Sequence, residues 1–196
     1  MAKILCISGP ASTGKTTLLN LIQNQELPYN IKYVPELIRT FIDRDEWNKI
    51  KNIPEKMFDL QWKMSRYLIR QYNEYLIDKS DIVLLDRAPI DFIVYTLIQY
   101  SLLEKMTQII QIRLFNITNA LKELTDKVTR IYQTQVNDNT FIPEDDGFRP
   151  DIYLDQRQVE IDLFNEINIG NKIILPDDNN ERVNIIVNDI HKIMEL

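Results

Sequence analysis

Short apolar runs alternate along this chain with longer stretches in which apolar positions recur every three or four residues. Ile4 to Ser8 is such a run and predicts a buried strand; a glycine-containing loop follows, then a helix from about Lys15 to Gln23. Ile31 to Val34 predicts a second short strand. Pro54, followed by Glu55, suits a helix N-terminus, because proline lacks a donor that this position does not need. That helix is expected to run to about Ile77, with Met57, Leu60, Met64 and Tyr67 on one face. Ile82 to Asp86 is too short for a helix and reads as a strand buried on both faces. A helix should follow from about Pro89. Leu103, Met106, Ile110, Leu114, Ile117, Leu121 and Leu124 mark another long one. Val128 to Gln135 predicts a fourth strand, residues 137–150 a polar loop, and Asp151 to Asn168 a helix. Lys172 to Leu175 predicts a fifth strand, and Val183, Ile186, Val187, Ile190 and Met194 a closing helix.

Strands alternating with helices imply an α/β fold: a three-layer αβα sandwich around a mainly parallel five-stranded sheet. At 196 residues, one domain over 1–196 is expected. Ligands in such sheets bind beyond the carboxyl ends of the strands. Gly9, Glu36, Asp86 and the loop after Gln135 all fall at such ends, which locates a site before any motif is considered.

Composition narrows the chemistry. One cysteine, Cys6, excludes an internal disulfide and any Cys-based metal site. One histidine, His191, argues against Ser-His-Asp hydrolysis and His-rich metal centres. A net charge of -6 disfavours broad charge-driven binding of nucleic acid. The first apolar run is too short for a signal peptide, and no run approaches the ~18 apolar residues of a membrane span. A cytoplasmic protein is the simplest expectation.

Gly9-Pro10-Ala11-Ser12-Thr13-Gly14-Lys15-Thr16 fits G-x-x-x-x-G-K-[ST] in full, between a predicted strand and a predicted helix. The chain has only four glycines and spends two of them here. Glycines let the backbone curl so that several N–H groups point at phosphate oxygens, and the next helix adds the positive end of its dipole. Lys15 is expected on the β- and γ-phosphates of ATP, the Thr16 hydroxyl on Mg²⁺, and Thr17 in the same cradle.

Other residues choose the class. Asp86 ends the third strand, where a carboxylate can hold Mg²⁺ opposite Thr16. The next residue is Arg87 rather than a water-activating glutamate, and an arginine suits an anionic substrate or transferred charge. No Asn-Lys-x-Asp sequence marks a guanine-specific switch. Glu36, after the second strand, can accept a hydroxyl proton, and Arg39 lies one helical turn later. In Glu144-Asp145-Asp146-Gly147-Phe148-Arg149, an arginine on a mobile lid over roughly 136–150 can cover the γ-phosphate and exclude water. Each has a plainer alternative: Asp86 as a strand-end cap, Arg87 as a surface ion pair, Glu36 as a helix-terminus acid, Arg149 as a solvated charge. Phe58, Trp62 and Tyr67 are core or lining residues before they are base-stacking ones, and Tyr95 and Gln61 are further candidates to face an acceptor.

Taken in order, residues 8–18, Glu36-x-x-Arg39, Asp86 and Asp145-Asp146-Gly147-Phe148-Arg149 resemble the P-loop nucleoside and nucleotide kinases. The pattern is most similar to the ribosylnicotinamide-kinase-like, AAA-domain kinase-like family found within bifunctional regulators of NAD biosynthesis. The resemblance implies that Lys15 and Thr16 handle ATP and Mg²⁺, that Asp86 supports the metal or the acceptor, and that Arg149 belongs to the lid. One departure stands out. Ribosylnicotinamide kinases carry Asp-Thr-Asp where this chain has Asp86-Arg87-Ala88-Pro89, which resembles the Asp-Arg pair of thymidylate and deoxynucleoside kinases. In those, the arginine meets a phosphate or sugar near the acceptor. Asp91 then offers either a replacement acid or a first-turn helix residue.

The expected activity is transfer of the γ-phosphate of ATP, with Mg²⁺, to a small nucleoside- or nucleotide-like acceptor. Lys15, Glu36, Asp86, Arg87 and Arg149 are the expected catalytic set, and Glu36, Arg39, Arg87 and Asp91 face the acceptor. Two rivals remain. A kinase of a modified base or end in DNA would show steeply salt-dependent DNA binding. A nucleotide-dependent switch would hydrolyse slowly and phosphorylate no small product. A homodimer is left open.

Overall fold

Ile4 and Cys6 face one side of β1 (Lys3–Ser8), and Leu5 and Ile7 face the other, as the period of two in a strand requires. In the computed structural model, which describes residues 1–136, 157–167 and 169–195, β1 lies at the centre of a five-stranded sheet. The other strands are β2 (Ile31–Val34), β3 (Ile82–Asp86), β4 (Arg130–Gln133) and β5 (Lys172–Ile174), in the order β2-β3-β1-β4-β5. Every pairing is parallel. The mainly parallel sheet of the sequence reading is therefore wholly parallel.

Two cores form on the two faces, giving three layers. One joins Ile4, Cys6, Val83 and Leu85 to helices α4 (Pro54–Leu76) and α6 (Gln108–Thr125). The other joins Leu5, Ile7, Ile82 and Leu84 to α1 (Lys15–Gln23) and α8 (Asn179–Met194). Each fully buried Leu or Ile contributes about 1.5–3 kcal/mol, so β1 and β3 anchor both cores. Helices α2 (Ile38–Phe41), α3 (Arg44–Ile50), α5 (Pro89–Ser101) and α7 (Arg157–Glu166) complete the described elements. None of the described helices is long and apolar enough to cross a membrane.

Several boundaries depart from the sequence reading. Leu103 is buried but precedes α6, which starts at Gln108 because the Thr107 side chain caps it, accepting from the Ile110 amide at 3.3 Å. Met106 lies outside the helix and half exposed. Tyr67 is also partly exposed, and packs edge-on against Phe41; the buried face of α4 continues instead through Leu68, Tyr72 and Tyr75. A helix turn after Glu36 was implied by placing Arg39 one turn later, and α2 begins only at Ile38; α3 was not anticipated. Helix α3 has a local signal: Asp43 accepts from the Glu46 amide at 2.8 Å and sets Trp47 into the core. Strand β4 is shorter than expected, ending at Gln133. The predicted lid and Arg149 lie outside the described residues.

Candidate nucleotide and acceptor site

The loop after β1 turns back on itself through residues in the left-handed region: Gly9 (φ 129°), Ser12 (φ 59°) and Gly14 (φ 81°). Gly9 is irreplaceable here for two reasons. Its φ disfavours any L side chain, and a Cβ would collide with the carbonyl oxygen of Thr134. Thr134 follows β4 and donates its amide to Ser8 O at 2.9 Å, while its hydroxyl sits 2.5 Å from that of Thr13. From behind, the buried Arg182 of α8 donates to Thr13 O at 3.1 Å and to Pro176 O at 2.5 Å. The curl is therefore braced on both sides. Among the described residues, the Ser12, Thr13 and Gly14 amides donate to no group of the chain, as an anion cradle at a helix N-terminus requires.

Lys15 is buried, and its ammonium donates to Pro10 O at 2.5 Å. Burial first, and Arg87 second, bring its pKa down to about 8, against the opposing pull of Asp91, Asp86 and Glu36. Thr16 and Thr17 open α1 on the exposed side. The Thr16 hydroxyl donates to Asp86 Oδ2 at 2.6 Å. The second oxygen of Asp86, Oδ1, is buried without a hydrogen-bond partner, and burial raises the pKa of this carboxyl. An orphaned carboxylate oxygen beside a threonine hydroxyl fits Mg²⁺, a hard cation that takes a few protein oxygens and fills its shell with water and phosphate. No group of three or more His, Cys, Asp or Glu side chains arranged for a metal exists among the described residues.

A second cluster, where the sequence reading expected an acceptor, is assembled around Arg87. Its backbone, at φ 101°, lies where non-glycine residues seldom stand, and its amide donates to Ile7 O at 2.9 Å. The guanidinium donates to Glu36 Oε1 through Nε at 2.8 Å, with Nη2 2.7 Å from the same oxygen. Nη1 reaches Tyr95 OH at 3.0 Å, and the guanidinium carbon lies 5.2 Å from the centre of the Tyr95 ring. Burial opposes the charge, but Tyr95 and the Glu36, Asp91 and Asp86 carboxylates more than offset it, and the pKa of Arg87 lies well above its ordinary value. Glu36 and Arg87 are thus a pair brought together from two strand ends.

Asp91 is fully buried. Its Oδ2 accepts from the Ser8 hydroxyl at 2.6 Å and the Ala88 amide at 2.9 Å, and its Oδ1 lies 3.3 Å from the Gly9 amide. Its place is beneath the loop, tying β1 to the first turn of α5. Arg39 falls on α2, and its side chain, like Arg149, lies outside the description. Of the aromatic candidates, Phe58 is core, and Trp62 sits beside the guanidinium groups of Arg66 and Arg113, at 5.8 and 5.7 Å. Gln61 is buried, donating to Phe92 O at 3.3 Å. Sequence reasoning missed Thr134, Arg182 and Glu160. The last, on α7, accepts from the Ala11 amide and from Tyr95 OH, both at 2.7 Å. None of the three belongs to a motif, and only the fold brings them to the loop.

A family described as AAA domain matches residues 4–116, from β1 into α6, which is more than half of the chain. No curated protein matches it. Among solved structures, a deoxyadenosine kinase from M. mycoides with bound dATP is 16% identical, with a TM-score of 0.70 over 95% of this chain and 98% of that one. NadR protein in complex with NR is 19% identical, with a TM-score of 0.67 over 97% of this chain; the chain spans about half (51%) of that protein. Thymidylate kinase from Candida albicans is 17% identical, with a TM-score of 0.59, covering 99% of this chain and 91% of that one. At these identities the likeness is one of fold: the α/β fold of P-loop kinases.

Proposed function

The chain belongs to the AAA-domain family, and from that premise we propose that it is an ATP-dependent kinase acting on a hydroxyl of a small nucleoside- or nucleotide-like acceptor. The observation that carries this reading is the Glu36–Arg87 pair, held at the same sheet edge as the phosphate loop and Asp86. A loop alone binds a nucleotide. A carboxylate and a guanidinium poised beside it give the far side of the γ-phosphate a use.

In this reading the amides of residues 12–16 hold the triphosphate, and Lys15 leaves Pro10 O for the β- and γ-oxygens. Thr16 and Asp86 would hold Mg²⁺, which would neutralise charge on the phosphates. Glu36 takes the proton of the acceptor hydroxyl as its oxygen bonds to the γ-phosphorus and the bond to the β–γ bridging oxygen breaks. Arg87 lies against Glu36 and stabilises charge on the moving group. Asp91 works from beneath, fixing the start of the loop rather than touching the acceptor. Arg39 and Arg149 extend the cationic surround by resemblance, and the setting is the cytoplasm, where ATP and such acceptors are dissolved.

The test is incubation with γ-labelled ATP and Mg²⁺ against nicotinamide riboside, deoxynucleosides, their monophosphates and modified DNA. The label should pass to one class of small acceptor. Release of free phosphate alone would support a nucleotide switch instead, and transfer only to DNA would support the DNA-directed rival.

A further inference from the structure

Glu160 and Tyr95 stand outside the phosphate-loop and Asp-Arg motifs, yet they join the two halves of the site. Glu160 is 3% exposed, and its Oε1 accepts from both the Ala11 amide and Tyr95 OH. Burial first of all holds the Tyr95 pKa well above its ordinary value, so the hydroxyl keeps the proton it donates. The same hydroxyl oxygen accepts from Arg87 Nη1, and Arg87 continues to Glu36. An unbroken chain therefore runs from Ala11 through Glu160, Tyr95 and Arg87 to Glu36.

Arg87 has competing acceptors. Asp91 Oδ1 at 3.4 Å and Gly9 O at 3.5 Å are long contacts, whereas Tyr95 OH at 3.0 Å is a well-formed one. A hydroxyl is a rotor: it presents a lone pair to Arg87 only while its proton is anchored elsewhere. Glu160 is that anchor. Without it, the guanidinium has reason to turn toward the buried Asp91 carboxylate and away from Glu36.

We infer that Glu160 is a positioning residue that, through Tyr95, fixes Arg87 on Glu36 and, through the Ala11 amide, ties that posture to the phosphate loop. The kinetic side of this rests on the proposed kinase activity; the posture of Arg87 does not. Two readouts separate them. First, Glu160→Ala and Tyr95→Phe should each lower kcat roughly tenfold to a hundredfold, with KM for ATP within about twofold. Glu160→Gln keeps an acceptor oxygen and should recover to within about threefold of wild type. The Glu160→Ala/Tyr95→Phe double variant should fall no further than the worse single one, because both cut one chain. Second, the Arg87 Nε–H proton resonance, identified by its loss in Arg87→Lys, should exchange slowly in wild type and Glu160→Gln and rapidly in Glu160→Ala and Tyr95→Phe. Additive losses in the double variant, or an Arg87 signal unmoved by Glu160→Ala, would overturn the inference. A wild-type protein without turnover whose Arg87 signal follows the expected pattern would sink the kinase reading and leave the inference standing.

Discussion

The phosphate-loop half of the site and its acceptor half are built in opposite ways. The first is contiguous: within eight successive residues, Gly9 to Thr16, the Ser12, Thr13 and Gly14 amides donate to no described group, and side chains from other elements (Thr134, Arg182, Asp91 and Glu160) brace the loop. The second is dispersed: Glu36 follows β2, Arg87 follows β3, Tyr95 sits on α5 and Glu160 on α7, and they act through side chains. Main-chain recognition needs only the right curl and tolerates varied side chains. Side-chain recognition depends on each residue type, so under the proposed kinase reading selectivity for an acceptor would belong to the dispersed half.

That contrast can be broken most sharply at Lys15, the charged side chain of the contiguous half. Lys15→Ala should lower phosphoryl transfer on the order of 10³-fold or more. Since burial works against its charge, the thermal midpoint should not fall, which differential scanning would show. Arg87→Ala should also cost about 10³-fold in kcat, and Arg87→Lys should recover little of it, because an ammonium cannot span Glu36 and Tyr95 together. If Lys restored the rate, a point charge would suffice and the geometric account of the acceptor half would fail.

Gly9→Ala sharpens the other side of the comparison. The methyl would meet the Thr134 carbonyl at a φ that alanine resists, so stability should drop by roughly 2–5 kcal/mol, read from the urea midpoint. The smallest effect concerns pH. Free Lys15 loses its proton near pH 8, whereas a triphosphate against the ammonium would raise its pKa. Above pH 8 the complex then holds a proton that the free protein has lost. ATP binding takes up a proton there, and affinity falls with rising pH, by up to about tenfold per unit. Calorimetry in two buffers of different ionisation enthalpy at pH 9 should show the uptake in wild type and none in Lys15→Met.

The same contrast explains what could be read from the sequence. Helix α1, β2 and β3 appear with the bounds their apolar runs suggest, because each run is short, dense and flanked by turn residues. The phosphate loop is equally legible, since contiguous recognition leaves a contiguous motif. The start of α6 was misplaced because Leu103 keeps the helical spacing while packing from a connection, and the Thr107 cap decides the boundary. Glu36 and Arg87 were individually visible, but their ion pair arises only when β2 and β3 lie side by side. Glu160 carried no signal at all: a single glutamate on a helix face is ordinary until the fold delivers it to the Ala11 amide.

The most direct test of the central claim is a crystal structure with a non-hydrolysable ATP analogue and Mg²⁺. The account predicts terminal phosphates in the curl of residues 9–16, Lys15 turned from Pro10 O onto their oxygens, and the metal between Thr16 and Asp86. An analogue bound elsewhere, with Lys15 still on Pro10 O, would contradict it.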